Sequence, residues 1–375
     1  MHQEKKASRF KSLVAFSFIV TILALVIVSL DGCASLSPSI TFKFAVTDDS
    51  RAAGCASAQS NGVSNVVLDA IAKDIAAQSV DFVLFPGDMV TGETNTPTDL
   101  SSMFDTWKAT MAPVYNAGIP VYVTRGNHEY APLTNGARNP LDPSNATYLA
   151  HFSMPPNGPA DESGMTYSFT WKNAKIIAFD QYAGRSDAYN NTQYAPGSNQ
   201  GQAMNSWVLD QVNNSTSGVI FVIAHEQIFP TNSHPDCLAN DPDSRDALVH
   251  SLGTHNGTYF SGHDHMYVRG TMTNAAGDKV PAFTVGTAGA GNYPYSPYDV
   301  VTAGYTGSDT YIVQKFFSDE DNPIFGYLLV TVYSDNTWSG EFHGFRFNHW
   351  NDDTDVSLTP ITVMDPKFTN SSMLH

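Results

Sequence analysis

Cysteine is scarce in this chain of 375 residues: there are three, Cys33, Cys55 and Cys237. None belongs to a C-x-x-C pair, which excludes zinc-ribbon and thioredoxin-type chemistry. Lysine and arginine are scarce as well, 19 against 36 aspartates and glutamates, for a formal net charge of −17. A field of that sign repels a phosphate backbone, so broad nucleic-acid binding is excluded. Internal repeats are absent, which excludes solenoids and propellers. What is present is a 42% hydrophobic and 12% aromatic composition, too apolar for wholesale disorder. The length allows one large domain or two ordinary ones, either able to bury a core without disulfide or metal staples. An acidic chain that handles an anionic substrate needs a local source of positive charge, and metal ions are the obvious candidate.

Residues 1–32 read as an export signal rather than as part of a fold. Lys5, Lys6, Arg9 and Lys11 form a basic start, and Leu13 to Leu30 is an uncharged apolar run. The run ends in Leu30-Asp31-Gly32-Cys33, which resembles a bacterial lipoprotein cleavage box apart from Asp31. A lipidated Cys33 would anchor the remaining 33–375 to a membrane. The alternative is an uncleaved signal anchor, since the run is just long enough to span a bilayer. The expectation is an exported, cell-envelope protein, lipid-anchored at the outer membrane or cell surface. Cys55 and Cys237 would then be an even pair in an oxidising compartment, open to a disulfide.

Along the rest of the chain, Thr41–Thr47, Asp81–Pro86 and Pro120–Thr124 are short apolar runs that read as strands. Between them, Ser64–Ala77 and Asp99–Met111 carry helical patterns, with Ser64 placed as an N-cap. This β-α-β-α-β alternation predicts a parallel sheet with crossover helices. Tyr167–Trp171 and Lys175–Phe179 predict a hairpin. Val219–Ala224, Thr258–Ser261 and Tyr267–Thr273 read as further strands, with helices near Gln202–Val212 and Asp243–Leu252. Gly286–Tyr311, rich in Gly, Tyr, Ser and Pro, reads as one long loop that Tyr293, Tyr295 and Tyr298 pack. Tyr327–Tyr333 and Thr337–His343 alternate as antiparallel strands do. No linker divides 33–375, so the reading is a single α/β domain with two sheets.

Five polar blocks follow directly on predicted strands: Asp48-Asp49-Ser50-Arg51, Gly87-Asp88, Gly126-Asn127-His128-Glu129, His225, and Gly262-His263-Asp264-His265. Ligand sites of open α/β sheets lie at the carboxyl ends of strands. Each block alone is an ordinary turn or loop. Together they supply carboxylates, an amide oxygen and imidazoles at one sheet edge, a donor set suited to Mn, Fe, Zn or Co. Gly87, Gly126 and Gly262 permit the tight turns that bring the next side chain to the strand mouth.

In the order and spacing of these blocks the sequence resembles the calcineurin-like metallophosphoesterases, roughly from Thr41 to Met266. The resemblance implies a two-sheet αββα sandwich, here with an added C-terminal β segment. It also implies two divalent transition-metal ions (Mn, Fe or Zn) and hydrolysis of a small phosphoester by a metal-bridging hydroxide. By motif, Asp49 and His265 would bind the first metal, Asp88 would bridge both, and Asn127, His225 and His263 would bind the second. His128 would act beside the scissile phosphate. The family's first block is usually Asp-x-His, whereas Arg51 stands at the His position here, free to hold a phosphate oxygen or to form a salt bridge. Aligning from Asp48 would instead put Ser50 there; the Asp-Ser-Arg run favours Asp49. Thr91 stands where purple acid phosphatases carry a tyrosine, which disfavours an iron–tyrosinate centre. The competing reading, from a different class, is a membrane-anchored binding or structural protein that retains the fold and has lost rate.

Overall fold

A computed structural model describes residues 37–92, 97–129, 133–134, 137–138, 144–160, 162–182, 199–229, 231, 238, 242–294, 310–319, 321–347 and 356–374. The export segment 1–32, Cys33, Cys237, Tyr295 and Tyr298 lie outside the described residues. Among the described residues no helix is long and apolar enough to cross a membrane. The compact unit begins at Ile40.

The first strand, β1 (Ile40–Val46), alternates with period two. Phe42, Phe44 and Val46 go to one apolar layer and Ala45 to another. A strand buried on both faces reads as a continuous apolar run, which explains Phe-Val-Leu-Phe in β2 (Phe82–Phe85). Both are parallel to each other and to β3 (Val121–Val123); β4 (Leu133–Thr134) and β5 (Ala137–Arg138) form a separate two-stranded antiparallel sheet. Helices α1 (Asn65–Ala77), α2 (Pro97–Thr110), α3 (Ala112–Asn116) and α4 (Ser144–His151) contribute to the layer over the outer face of the first sheet. In α1 the residues Val67, Leu68, Ile71, Ala72 and Ile75 form the buried stripe, spaced as one helical face requires. Ser64 does not cap α1 with its side chain. Its hydroxyl is drawn off to the carbonyls of Gly289 (2.8 Å) and Arg51 (3.1 Å), where it ties loops of the polar edge together.

The second sheet is built on the predicted hairpin β6 (Tyr167–Trp171) and β7 (Ala174–Ala178). Parallel strands β8 (Val219–Ile223), β9 (Gly257–Ser261) and β11 (Lys279–Val285) continue it. The antiparallel strands β10 (Tyr267–Thr273) and β12 (Thr310–Phe317) complete its seven strands. Helices α5 (Asn199–Asn213) and α6 (Pro242–Thr254) contribute side chains to the layer on its outer face. Between the sheets, Phe44 sits 5.1 Å from Phe82 of its own sheet and 4.9 Å from Phe221 of the other, ring to ring. The order helix, sheet, sheet, helix is the predicted αββα sandwich.

The C-terminal strands β13 (Ile324–Tyr333), β14 (Trp338–Arg346) and β15 (Thr362–Thr369) extend the first sheet, since β13 pairs antiparallel with β1. Both sheets are therefore mixed. The sequence reading missed β4, β5, β11, β12, β15, α3 and α4, and β12 begins where the predicted long loop ends. In β11, Pro281 argues against a strand. It is tolerated because pairing with β9 starts only at Ala282.

Candidate metal centre

All five polar blocks lie at the carboxyl ends of parallel strands: three in the first sheet (β1, β2, β3) and two in the second (β8, β9). The turns are tight. Asp49, Asp88 and His263 all adopt the left-handed region, at φ 62°, 42° and 67°, which Asp and His enter more readily than most non-glycine residues. Gly87 has φ 145°, and a Cβ there would lie 2.8 Å from His225 Nδ1. At Gly262 the reason for glycine is close approach, because a Cβ would meet Asp48 Oδ2 at 1.7 Å.

The side chains converge in two halves around Asp88. On one side His225 Nε2 lies 3.3 Å from Asp88 Oδ1 and 3.1 Å from Asn127 Oδ1. The ring of His263 is 5.0 Å from that of His225. On the other side Asp49, Asp88 and His265 offer ligand atoms all within 4.8 Å of one another. His265 Nδ1 donates to Gly291 O (3.0 Å), leaving Nε2 toward Asp49 Oδ1 at 3.6 Å. Arg51 Nε reaches Asp88 Oδ2 at 3.5 Å. His128 donates its backbone N–H to Asp88 Oδ1 (3.1 Å), and its Nδ1 bonds Thr91 O (2.7 Å). Its side chain keeps 13% exposure, against 0% for His225 and 2% for His265. The structure thus brings together Asp49, Arg51, Asp88, Asn127, His128, His225, His263 and His265. Thr91 Oγ1 is turned to the carbonyls of Ala52 and Gly62.

Three neighbours were not assigned from sequence. Asp48 is buried and holds His225 Nδ1 at 3.2 Å, so it fixes that ring with Nε2 toward Asn127 and Asp88. Glu129 is buried and accepts from the backbone N–H groups of Val90 (3.0 Å) and Gly126 (2.8 Å), bracing two of the motif loops. Tyr293 does not merely pack its loop. Its ring stacks on His265 at 4.2 Å and its hydroxyl accepts from Arg51 Nη2 at 3.2 Å. Asp48 was visible only as an alternative alignment, and Tyr293 only as an aromatic in a Gly-rich stretch. His151, His250, His255 and His343 bond elsewhere.

The electrostatics favour a cation. Among the described residues, buried Asp48 Oδ1 and Asp49 Oδ1 have no hydrogen-bond partner, an arrangement costly for a carboxylate unless a positive charge is supplied. Burial and the charge of Asp49 push Asp48 well up. Burial carries Asp49 up to about 7 against the pull of His225, and burial with the Asp88 charge carries Glu129 to about 8. Burial also opposes ionisation of Asp88, but His225, His128 and Arg51 outweigh it and hold that group well below the usual range. In His225 burial lowers the pKa, yet Asp88 and Asp48 raise it well above the usual value. The donor set of carboxylate, amide and imidazole fits divalent transition-metal ions.

A stability prediction follows for the chelated protein. Asp48, Asp49, Glu129 and His225 all keep protons in the native state that the unfolded chain has released, so stability falls as pH rises from about 5 to about 8. Asp88 acts in the opposite sense, but only below its ordinary range, as its ionised form is lost in acid. Urea midpoints in chelator are expected to decline across that window, and saturating Mn(II) is expected to flatten the decline. A midpoint that rises with pH in chelator would refute the assignment.

A two-sheet sandwich with such a cluster at its strand ends is the arrangement that the resemblance to the metallophosphoesterases implied. The family model described as Calcineurin-like phosphoesterase matches residues 63–267, more than half of the chain, and the protein belongs to that family. The Asp48–Arg51 block lies ahead of the matched segment. No curated protein matches the sequence significantly. Among solved structures, the chain is similar to a purple acid phosphatase, PPD1, from yellow lupin (Lupinus luteus) seeds, at TM-score 0.56 and 17% identity. That match covers 89% of this chain and 54% of the lupin protein, so the chain spans about half of that relative's length. It is also similar to PhoD, at TM-score 0.56 and 14% identity, over 87% of this chain and 73% of that one. At these identities the likeness is one of fold.

Proposed function

We propose that the protein is an exported hydrolase of small phosphoesters, monoesters or diesters, that works with two divalent transition-metal ions. The observation that carries this reading is Asp88. Its two carboxylate oxygens face different ligand groups, Oδ1 toward His225 and Oδ2 toward Arg51 on the Asp49–His265 side. Asp49, Asp88 and His265 would hold one ion, and Asp88, Asn127, His225 and His263 the other. A bound pair supplies Lewis acidity toward phosphoryl oxygens and a water acidic enough to act near neutral pH.

The chain does the rest. Asp48 and Glu129 brace ligands and loops so that little rearranges during reaction. His128, fixed through Nδ1 to Thr91 O, holds Nε2 3.8 Å from Asp88 Oδ2 at the ligand cluster, from where its protonated ring would give a proton to the departing oxygen. The acidic surface is no obstacle, because the ions set the field at the site.

The test is metal content and turnover together. The chain, purified without chelator, is expected to carry transition metal and to hydrolyse a phosphomonoester or a phosphodiester when Mn, Fe or Zn is supplied. Metal-replete protein inert toward both esters would leave the binding-protein reading in its place.

A further inference from the structure

Arg51 stands where the family resemblance implies an imidazole, and the structure shows where its guanidinium goes. Nη2 lies 3.3 Å from His265 Nε2 and 3.2 Å from Tyr293 Oη, and Nε lies 3.5 Å from Asp88 Oδ2. Guanidinium is always protonated and only donates. Since His265 Nδ1 is committed to Gly291 O, the lone pair that receives Arg51 is on Nε2. That lone pair, with oxygens of Asp49 and Asp88, makes up the compact three-ligand group. Arginine and a first metal ion therefore claim the same imidazole nitrogen and the same carboxylate.

Tyr293 holds the arginine there. Its ring lies over His265 at an interplanar angle of 14°, and its backbone N–H donates to His265 O (3.1 Å). The loop behind it is strapped to the first block by Ala288 N–H to Asp48 O (2.7 Å), Ala290 N–H to Asp49 O (2.9 Å) and Gly291 N–H to Ala53 O (3.1 Å). The latch is thus mounted on ordered backbone. The other half of the site gathers at Asp88 Oδ1, the oxygen that Arg51 Nε does not face.

We propose that Arg51, latched by Tyr293, is a built-in cation that competes with the first metal ion, so that the two metal sites are unequal and fill in order, the His225–Asn127–His263 site before the Asp49–His265 site. This rests on the two-metal reading above.

The experiment titrates chelator-stripped protein with Mn(II), following heat and bound metal. Wild type is expected to show two steps whose dissociation constants differ by about 10–100-fold, the scale on which a ligand's immediate partners tune metal affinity. Arg51→Met keeps an unbranched apolar stem, shorter than arginine's and without charge, and adds no hard ligand. It is expected to tighten the weak step by about 10-fold or more and to leave the tight step unchanged. Tyr293→Phe keeps the stacked ring, frees the guanidinium, and is expected to tighten the weak step by less.

Two equal constants in wild type would overturn the proposal while leaving the metal centre intact. So would an Arg51→Met weak step as weak as wild type, since the missing imidazole alone would then explain the weakness. Uptake of no Mn(II) by any of the three proteins, with native circular dichroism, would remove the metal reading and the proposal with it.

Discussion

Asp88→Ala is expected to leave a folded protein that retains neither metal ion and has lost about 10⁴-fold or more in kcat/KM. The size follows from position. Asp88 is buried, and its oxygens face both ligand groups, so its loss takes a donor from each half at once. The surrounding imidazoles and Arg51 keep it ionised where Asp48 and Asp49 are pushed toward the neutral acid. It is therefore the carboxylate in the cluster best prepared to meet a cation at neutral pH. The fold is expected to survive, because the apolar layers lie behind the strand ends and Asp88 belongs to none of them. Mn(II) is expected to raise the melting temperature of wild type and not of the variant. Metal retained at two equivalents by Asp88→Ala would mean that the ions sit elsewhere, and the site described here would be wrong.

The parts of this site that were legible in the sequence share one property: they follow strands. Asp88, Asn127, His225 and His263 each come within a few residues of the end of a short apolar run, and parallel sheets put such residues at one edge. What was not legible depends on contacts between distant segments. Asp48 and Asp49 are neighbours of identical type. Only the three-dimensional turn, with Asp49 at φ 62°, lets Asp48 hold His225 while Asp49, grouped with that pair as well, also joins Asp88 and His265.

Tyr293 reaches His265 through a loop secured by backbone hydrogen bonds, which leave no mark in residue type. The same holds for Ser64, whose sequence position announces a helix cap while its hydroxyl serves two loop carbonyls. The strands missed were those with least pattern. β11 is interrupted by Pro281. β12 follows a Gly- and Tyr-rich stretch, and its outward positions include Ile312 and Phe316, both exposed. Its alternation is therefore between half-buried and exposed residues rather than between apolar and polar ones.

His128→Ala is expected to separate rate from metal binding. The hydrogen bond from residue 128 to Asp88 Oδ1 comes from the backbone N–H, which alanine keeps, and the imidazole stands 3.8 Å from Asp88 Oδ2, beyond hydrogen-bond distance, with His225 and Arg51 still holding Asp88 ionised, so metal occupancy is expected to stay near the wild-type level. What is lost is the imidazole, held by Thr91 O and more exposed than His225 or His265. Removing a positioned proton donor costs on the order of 10²–10⁴-fold in kcat. The loss depends on the substrate. An ester with a poor leaving group, such as an alkyl phosphate, needs its departing oxygen protonated and is expected to suffer the full loss. An aryl ester whose alcohol departs readily as the anion needs little protonation and is expected to suffer far less. A uniform loss across both esters, with metal retained, would assign His128 to holding a phosphoryl oxygen instead of supplying the proton. An unchanged kcat would remove it from the reaction, and the proton for the leaving oxygen would then have to come from solvent.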